Sequence, residues 1–594
     1  MTAIESARLL IVWIRNKLTR KQFIIFSSVL VGVSVGLAAV VLKMFTHFIF
    51  MAASFYNEGN GKYLFLMMPV IGVFLTVAVV QKFLKGKLEK GISHIHYNVV
   101  KNSSIVPREQ MYAQIITSSL TVGLGGSAGL EAPIVVTGAA FGSNYGKTYH
   151  LNYQERTLLL ACGVAAGIGA VFNAPIAGVL CALEILLLDI SISAFGPLII
   201  SSVTGALISK VLLQNGGILL SFESKESFDY HHLPFYILLG LLTGLLAVYY
   251  SHIFLKTETL IGKSSVNVYL KAILGGLSLS FLMIFFPTLY GEGYESIRTL
   301  FAERSEELLA SSILSPQKSN EWVVLLVIGV IILIKPIATA ITLGSGGNGG
   351  NFAPSLFIGS YFGFFFSKLI NLSGIWIYKL PVSNFTIVGM AGIISGIYHA
   401  PLTAIFLIAE ITGGYSLMIP LMIVSSISFV LSKYMEPYSL DTIKMARNGD
   451  VFTQDKDKKI LTTIDAAELI ETDFQKVDSN ATLGTLVELI SKSKRNLFPV
   501  TDNNGKLLGV ISLDNIREII FKREVYDSVM VSELMVKAPS MVFENESTDD
   551  IMKKFDETGA WNLPVVNEDE LYIGFISKSR VFSSYRTTLQ ATTI

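Results

Sequence analysis

Charge is what this sequence has least of. Only 15% of its 594 residues are Asp, Glu, Lys or Arg, against about 25% in soluble domains. Hydrophobic residues make up 51%, and the mean hydropathy is +0.56. A soluble catalytic domain is a poor fit to this composition, and no enzyme chemistry is implied. The net charge of +1 says nothing about partners, and no nucleic-acid partner is expected. Cysteine is scarce too. The two present, Cys162 and Cys181, lie in apolar segments and read as packing residues rather than a disulfide or metal site. No secretory signal is expected: residues 8–14 are apolar but too short, and no small-residue cleavage site follows.

Long apolar runs fill the space the charges leave. Residues 23–42 carry no charge, and 233–255 and 322–334 continue the pattern. Runs of about 20 apolar residues read as membrane-spanning helices, so a polytopic α-helical membrane protein is expected. The flank RNKLTRKQ (15–22) is basic. By the positive-inside rule it places an interfacial segment, 1–22, and with it the N-terminus, in the cytoplasm.

Near Tyr438 the composition changes. The expected layout is a membrane domain over 23–440, a polar linker over 441–462, and soluble α/β units over 463–523 and 530–590. The tail repeats: FPVTDNNGKLLGVIS (498–512) matches LPVVNEDELYIGFIS (563–577) at an offset of 65. Each copy reads strand, turn, strand, helix, after an amphipathic helix. This resembles a pair of CBS domains on the cytoplasmic side. Such pairs often bind adenine nucleotides, with a Ser/Thr and an Asp three residues on holding the ribose. Here Asn515 and Arg580 follow Ser512 and Ser577 at that spacing, so both acids are missing, and a structural, dimerising role weighs against a nucleotide.

The membrane part repeats as well, over about 23–215 and 232–440. GLEAPIVVTGAAFG (129–142) matches GNFAPSLFIGSYFG (350–363), and GAVFNAPIAGVLCALEI (169–185) matches SGIYHAPLTAIFLIAEI (395–411). Repeated apolar segments broken by Gly and Pro in matching places are the sign of inverted-repeat transporters.

Broken helices suit an anion. Pro133 and Pro354 fit the first turn of a new helix, where a missing N–H costs nothing. The unpaired N–H groups there carry the positive end of the helix dipole, about half a charge. Two such ends at the midplane would hold an anion without a buried Lys or Arg. Glu131 begins one of them, where its carboxylate can take the anion's place when ionised and release it when protonated. Its repeat partner is Phe352, so the acid is not a need common to both halves. Glu184 and Glu410 do match each other and read as structural, hydrogen-bonding neighbouring helix ends.

GLEAP, GNFAP, NAPIAGVLCALE and EPYS together resemble the CLC family of chloride channels and chloride/proton exchangers. The resemblance implies a homodimer in the cell membrane with both termini cytoplasmic, one pore per subunit, bound chloride and no required cofactor. By position, Glu131 looks like the gating glutamate. Backbone N–H groups of Leu130, Glu131, Asn351, Phe352 and Ala353 would line the anion sites, and the Tyr438 hydroxyl would touch the central anion. Three departures stand out. The family's Gly-Ser-Gly-Ile-Pro becomes EKGISH, with Lys90, Gly91 and Ile92 at the inner mouth and Lys90 where the serine usually stands. Ile185 replaces the exchangers' inner proton-relay glutamate. Leu130 replaces a common basic residue. A channel-like chloride conductor gated by Glu131 is therefore expected. The alternatives are a chloride/proton antiporter with a water-bridged inner path and, from another class, a CBS-regulated metal-cation transporter. GGSAG (125–129), GSGGNG (344–349), and His94 with His96 read as chance matches to hydrolase, nucleotide and metal patterns.

Overall fold

The computed structural model describes residues 17–54, 62–100, 102–185, 194–213, 228–309, 312, 320–447 and 464–593. The chain divides into two compact units, 1–450 and 451–594. Of the expected cytoplasmic segment and linker, residues 1–16 and 448–462 lie outside the described residues.

The membrane unit is a duplication of eight helices. The first set is α1 (Arg20–Ser54), α2 (Lys62–Phe83), α3 (Ser93–Val100), α4 (Gln110–Gly123), α5 (Glu131–Thr148), α6 (Tyr153–Phe172), α7 (Pro175–Glu184) and α8 (Phe195–Leu213). The second is α9 (Leu233–Lys263), α10 (Val268–Phe285), α11 (Tyr294–Phe301), α12 (Glu321–Gly344), α13 (Phe352–Ser373), α14 (Val382–Tyr398), α15 (Pro401–Ile411) and α16 (Met418–Met435). The packing repeats with a shift of eight. α5 lies on α6 as α13 lies on α14, α1 on α8 as α9 on α16, and α6 on α8 as α14 on α16. Two matched pairs, α2 with α10 and α7 with α15, join the halves.

Among the described residues, nine helices are long and apolar enough to cross a membrane. α7 and α15, at 10 and 11 residues, reach only about 15 Å at 1.5 Å per residue. Their brevity has a local cause common to both repeats. α6 ends on Asn173 and α14 on His399, both in the left-handed region, with φ of 54° and 55°. An Ala-Pro step follows, and Pro175 and Pro401 open the next helix. Close crossings are duplicated too. A Cβ on Gly163 would lie 1.9 Å from the Gly138 oxygen, and one on Gly389 would lie 2.3 Å from that of Gly359. Small residues let helix backbones approach in a membrane, where packing rather than hydrophobicity joins them.

The second unit holds two sheets of identical topology. β1 (Val477–Asp478) pairs in parallel with β2 (Leu497–Thr501), which pairs antiparallel with β3 (Leu507–Ser512). β4 (Val542–Phe543), β5 (Asn562–Val566) and β6 (Tyr572–Ser577) repeat this. The register is offset by 65 throughout: Leu497 faces Ser512 as Asn562 faces Ser577, and each β-hairpin slips at the same place, Val500/Thr501 and Val565/Val566. Phe474, Val510, Val566, Tyr572 and Phe575 form an apolar cluster between the copies.

Candidate functional site

The two broken segments meet head to head. Gly129 N–H donates to the Gly350 oxygen at 2.9 Å, and Gly350 N–H returns the bond at 2.8 Å, an antiparallel bridge between equivalent residues. From it α5 and α13 run apart. Leu130 and Asn351 stand at their N-caps, and neither side chain closes the first turn. An α-helix leaves its first four N–H groups without intrahelical partners, so two sets of donors converge on one place. The approach loops brace each other reciprocally. Ser127 N–H donates to Thr342 Oγ1 at 3.1 Å, and its repeat equivalent, Asn348 N–H, donates to Thr121 Oγ1 at 2.9 Å.

Leu130, Glu131, Asn351, Phe352 and Ala353 thus come together. Glu131 is 1% exposed. Its Oε1 accepts from the Tyr294 hydroxyl. Its Oε2 is buried without a hydrogen-bond partner and turns toward the backbone of the opposite half-helix. The space a Gly129 Cβ would fill lies 2.1 Å from that oxygen and 3.1 Å from the Ala353 nitrogen. Only glycine at 129 leaves room for the carboxylate there. Phe352 packs between Phe172 and Tyr398, with ring centroids 5.7 and 5.5 Å away. The Tyr250 hydroxyl donates to Asn351 Oδ1 at 3.1 Å.

Glu184 and Glu410 stand at the ends of α7 and α15 and cap each other's helices. Glu410 accepts from Ile176 and Ala177 N–H at 3.0 and 2.8 Å, and Glu184 accepts from Leu402 and Thr403 N–H at 3.0 and 2.6 Å. This is the helix-end role their matched spacing suggested. Ile185 follows, buried. Cys162 and Cys181 are free and buried.

Other expected site residues lie apart from Glu131. The Lys90 ammonium donates to the Gly346 and Gly347 oxygens at 3.0 and 2.9 Å, gripping the loop that leads to Asn351. Gly91 turns through φ 76°, and Ile92 is buried. Tyr438 is 40% exposed, and the buried tyrosine beside Phe352 is Tyr398. In the second unit Ser512 Oγ binds Asn515 Oδ1 at 2.7 Å, and Ser577 Oγ donates to Glu471 Oε1 at 2.6 Å. Glu471 also accepts from Arg495 at 2.6 Å.

A buried cation stands beside the approach loop. Lys335, in α12, is 0% exposed. Its ammonium lies 2.9 Å from Ser127 Oγ and 4.5 Å from the centre of the Phe357 ring. Lys43, in α1, donates to the Val171 oxygen at 2.7 Å and faces Glu131 electrostatically. Glu292 accepts the Leu130 N–H at 3.3 Å, and its charge faces Glu131, Lys43 and Lys335. Lys335 had a sequence signal, a lone charge in an apolar run. Glu292 and Tyr294 had none, lying in the turn before α11 and at that helix's first residue, 162 and 163 residues from their partners.

Inverted repeats whose broken helices aim their N-termini at each other are the architecture of a membrane transport protein. Residues 71–433 match the voltage gated chloride channel family, and residues 466–522 and 531–586 match the CBS domain. A putative chloride channel protein, ClcB-like, from Ralstonia nicotianae is 27% identical over 392 residues, 65% of this chain and 86% of the relative. The voltage-gated ClC-type chloride channel ClcB of Escherichia coli is 29% identical over 334 residues, 55% and 73% of the two chains. Among solved structures, a slow cyanobacterial Cl−/H+ antiporter aligns with a TM-score of 0.63 at 20% identity, covering 73% of this chain and 98% of its own. A eukaryotic CLC transporter aligns with a TM-score of 0.61 at 18% identity, covering 94% and 97%. The chain belongs to the CLC chloride channel family, with a C-terminal CBS pair, and its function is chloride transport.

Proposed function

We propose that the protein conducts chloride across the cell membrane in a channel-like manner, gated by protonation or displacement of Glu131. The observation that carries this is the Glu131 carboxylate itself, lodged between the N-termini of α5 and α13 where an anion would sit. An intramembrane carboxylate is costly and points to function by default. Backbone donors of Leu130, Glu131, Asn351, Phe352 and Ala353 supply a weak, distributed site from which an ion can also leave. Ile185 argues for uncoupled flow, because an isoleucine carries no proton.

The competing reading is a chloride/proton antiporter, and Tyr294 with Glu292 favours it by giving Glu131 a polar approach. Structural neighbours include a Cl−/H+ antiporter and a fluoride/proton antiporter. The metal-cation alternative loses its basis with the family assignment. The reading extends to a homodimer with cytoplasmic termini, one pore per subunit and no required cofactor. Lys90, Gly91 and Ile92 form the inner mouth, and the Tyr438 hydroxyl touches the central anion. A nucleotide at Ser577 would first have to displace Glu471, so a structural role for the CBS pair fits better.

The test is proton movement in liposomes holding the purified protein under a chloride gradient, with no proton gradient imposed. Chloride flux without proton movement is expected. Uphill proton movement would establish exchange and a route around Ile185.

A further inference from the structure

We propose that Glu292 is a second gating carboxylate, holding the Leu130 N–H in place of an anion and releasing it for the anion to pass. This rests on the half-helix N-termini being the anion path.

The first support is occupancy. The Leu130 N–H is one of the donors aimed at the anion site, and its acceptor is Glu292 Oε1 at 3.3 Å. Glu131 already fills the space beside the Ala353 nitrogen. Two carboxylates therefore take two anion positions, one donated by each half-helix. Two like charges so close repel. Lys43 from α1 faces both, Lys335 from α12 faces Glu292, and Tyr294 from α11 holds Glu131, which makes the paired arrangement tenable.

The second support is placement. Glu131 is buried, whereas Glu292 is partly exposed, so Glu292 stands between water and the inner acid. The adjacent Tyr290 packs on Phe50, near the end of α1 opposite Arg20, and on Phe65. Glu292 therefore lies toward the membrane face remote from the basic N-terminal flank.

The third support is the other repeat. Glu292 precedes Gly293, whose φ of 86° turns the chain into α11. In the first repeat Lys90 precedes Gly91, whose φ of 76° turns the chain toward α3. Each side chain reaches the approach to the opposite half-helix: Glu292 to Leu130, Lys90 to Gly346 and Gly347. The same backbone position carries opposite charges at the two mouths. The turn does not require a carboxylate; something at this mouth does.

The experiment is chloride flux in liposomes containing the full-length protein, wild type against Glu292→Gln and Glu292→Asp, over a series of chloride concentrations. Glutamine keeps the shape and can still accept the Leu130 N–H, but it competes without charge. The expected result is a fall of about tenfold in the chloride concentration for half-maximal flux in Glu292→Gln, with Glu292→Asp near wild type. Retained pH dependence, carried by Glu131, is expected alongside. A half-maximal concentration within about twofold of wild type, whatever the thermal stability of the variant, would overturn the proposal. No chloride flux in the wild-type protein would overturn the anion-transport reading beneath it.

Discussion

The two repeats agree in the features that build the scaffold and disagree at residues around the head-to-head bridge. Asn173 and His399 take the same left-handed turn. Glu184 and Glu410 exchange the same caps. Gly138 with Gly163, and Gly359 with Gly389, make the same close crossing. At the head-to-head bridge the likeness stops. Glu131 stands opposite Phe352, Glu292 opposite Lys90, and Lys335 opposite Gln114, which accepts from Asn348 as Lys335 donates to Ser127. Features present in both halves hold the fold; features present in one half polarise it. The scaffold presents equivalent N–H donors from both repeats, and the unmatched charges make their surroundings unequal.

Substitutions at matched positions should act alike, and the largest effect belongs to the crossings. Gly163→Ala and Gly389→Ala each force a methyl against a carbonyl, and both should lose folded protein, read as monodisperse yield in detergent. Survival of one with loss of the other would break the equivalence of the halves. Glu184→Gln and Glu410→Gln should be milder and again equal. Each should cost about 1 kcal/mol of stability, the scale of a lost helix cap, read as a shift in thermal unfolding, with the pH dependence of flux kept. A changed pH dependence in Glu184→Gln alone would turn a cap into a proton-carrying group. The smallest effect belongs to Lys90→Met, which removes the ammonium from the Gly346 and Gly347 carbonyls. It should alter selectivity among chloride, nitrate and similar anions, measured by competition flux, with little loss of folded protein.

The scaffold was legible in the sequence because it is written twice. The Gly-x-x-Ala-Pro breaks and the Ala-Pro steps recur in the same order, each step with a glutamate nine residues beyond its proline, and order and spacing along the chain are what a single sequence displays. The same holds for the CBS hairpins. Glu131 was legible as a lone acid in an apolar run. Its surroundings were not, since Tyr294, Glu292, Lys335 and Lys43 arrive from α11 and the turn before it, from α12 and from α1. Glu292 sits in an ordinary Gly-rich turn, and only the folded repeat brings it to Leu130. Lys335 was visible but masked by an otherwise apolar helix, and its use depends on Ser127, 208 residues away.

The most direct test is the pH dependence of chloride flux in liposomes, wild type against Glu131→Gln. If the Glu131 carboxylate occupies the anion's place, the wild-type flux rises as the medium is acidified, and the glutamine variant carries chloride at a rate nearly independent of pH. A glutamine variant with the wild-type pH profile would show that the gate lies elsewhere.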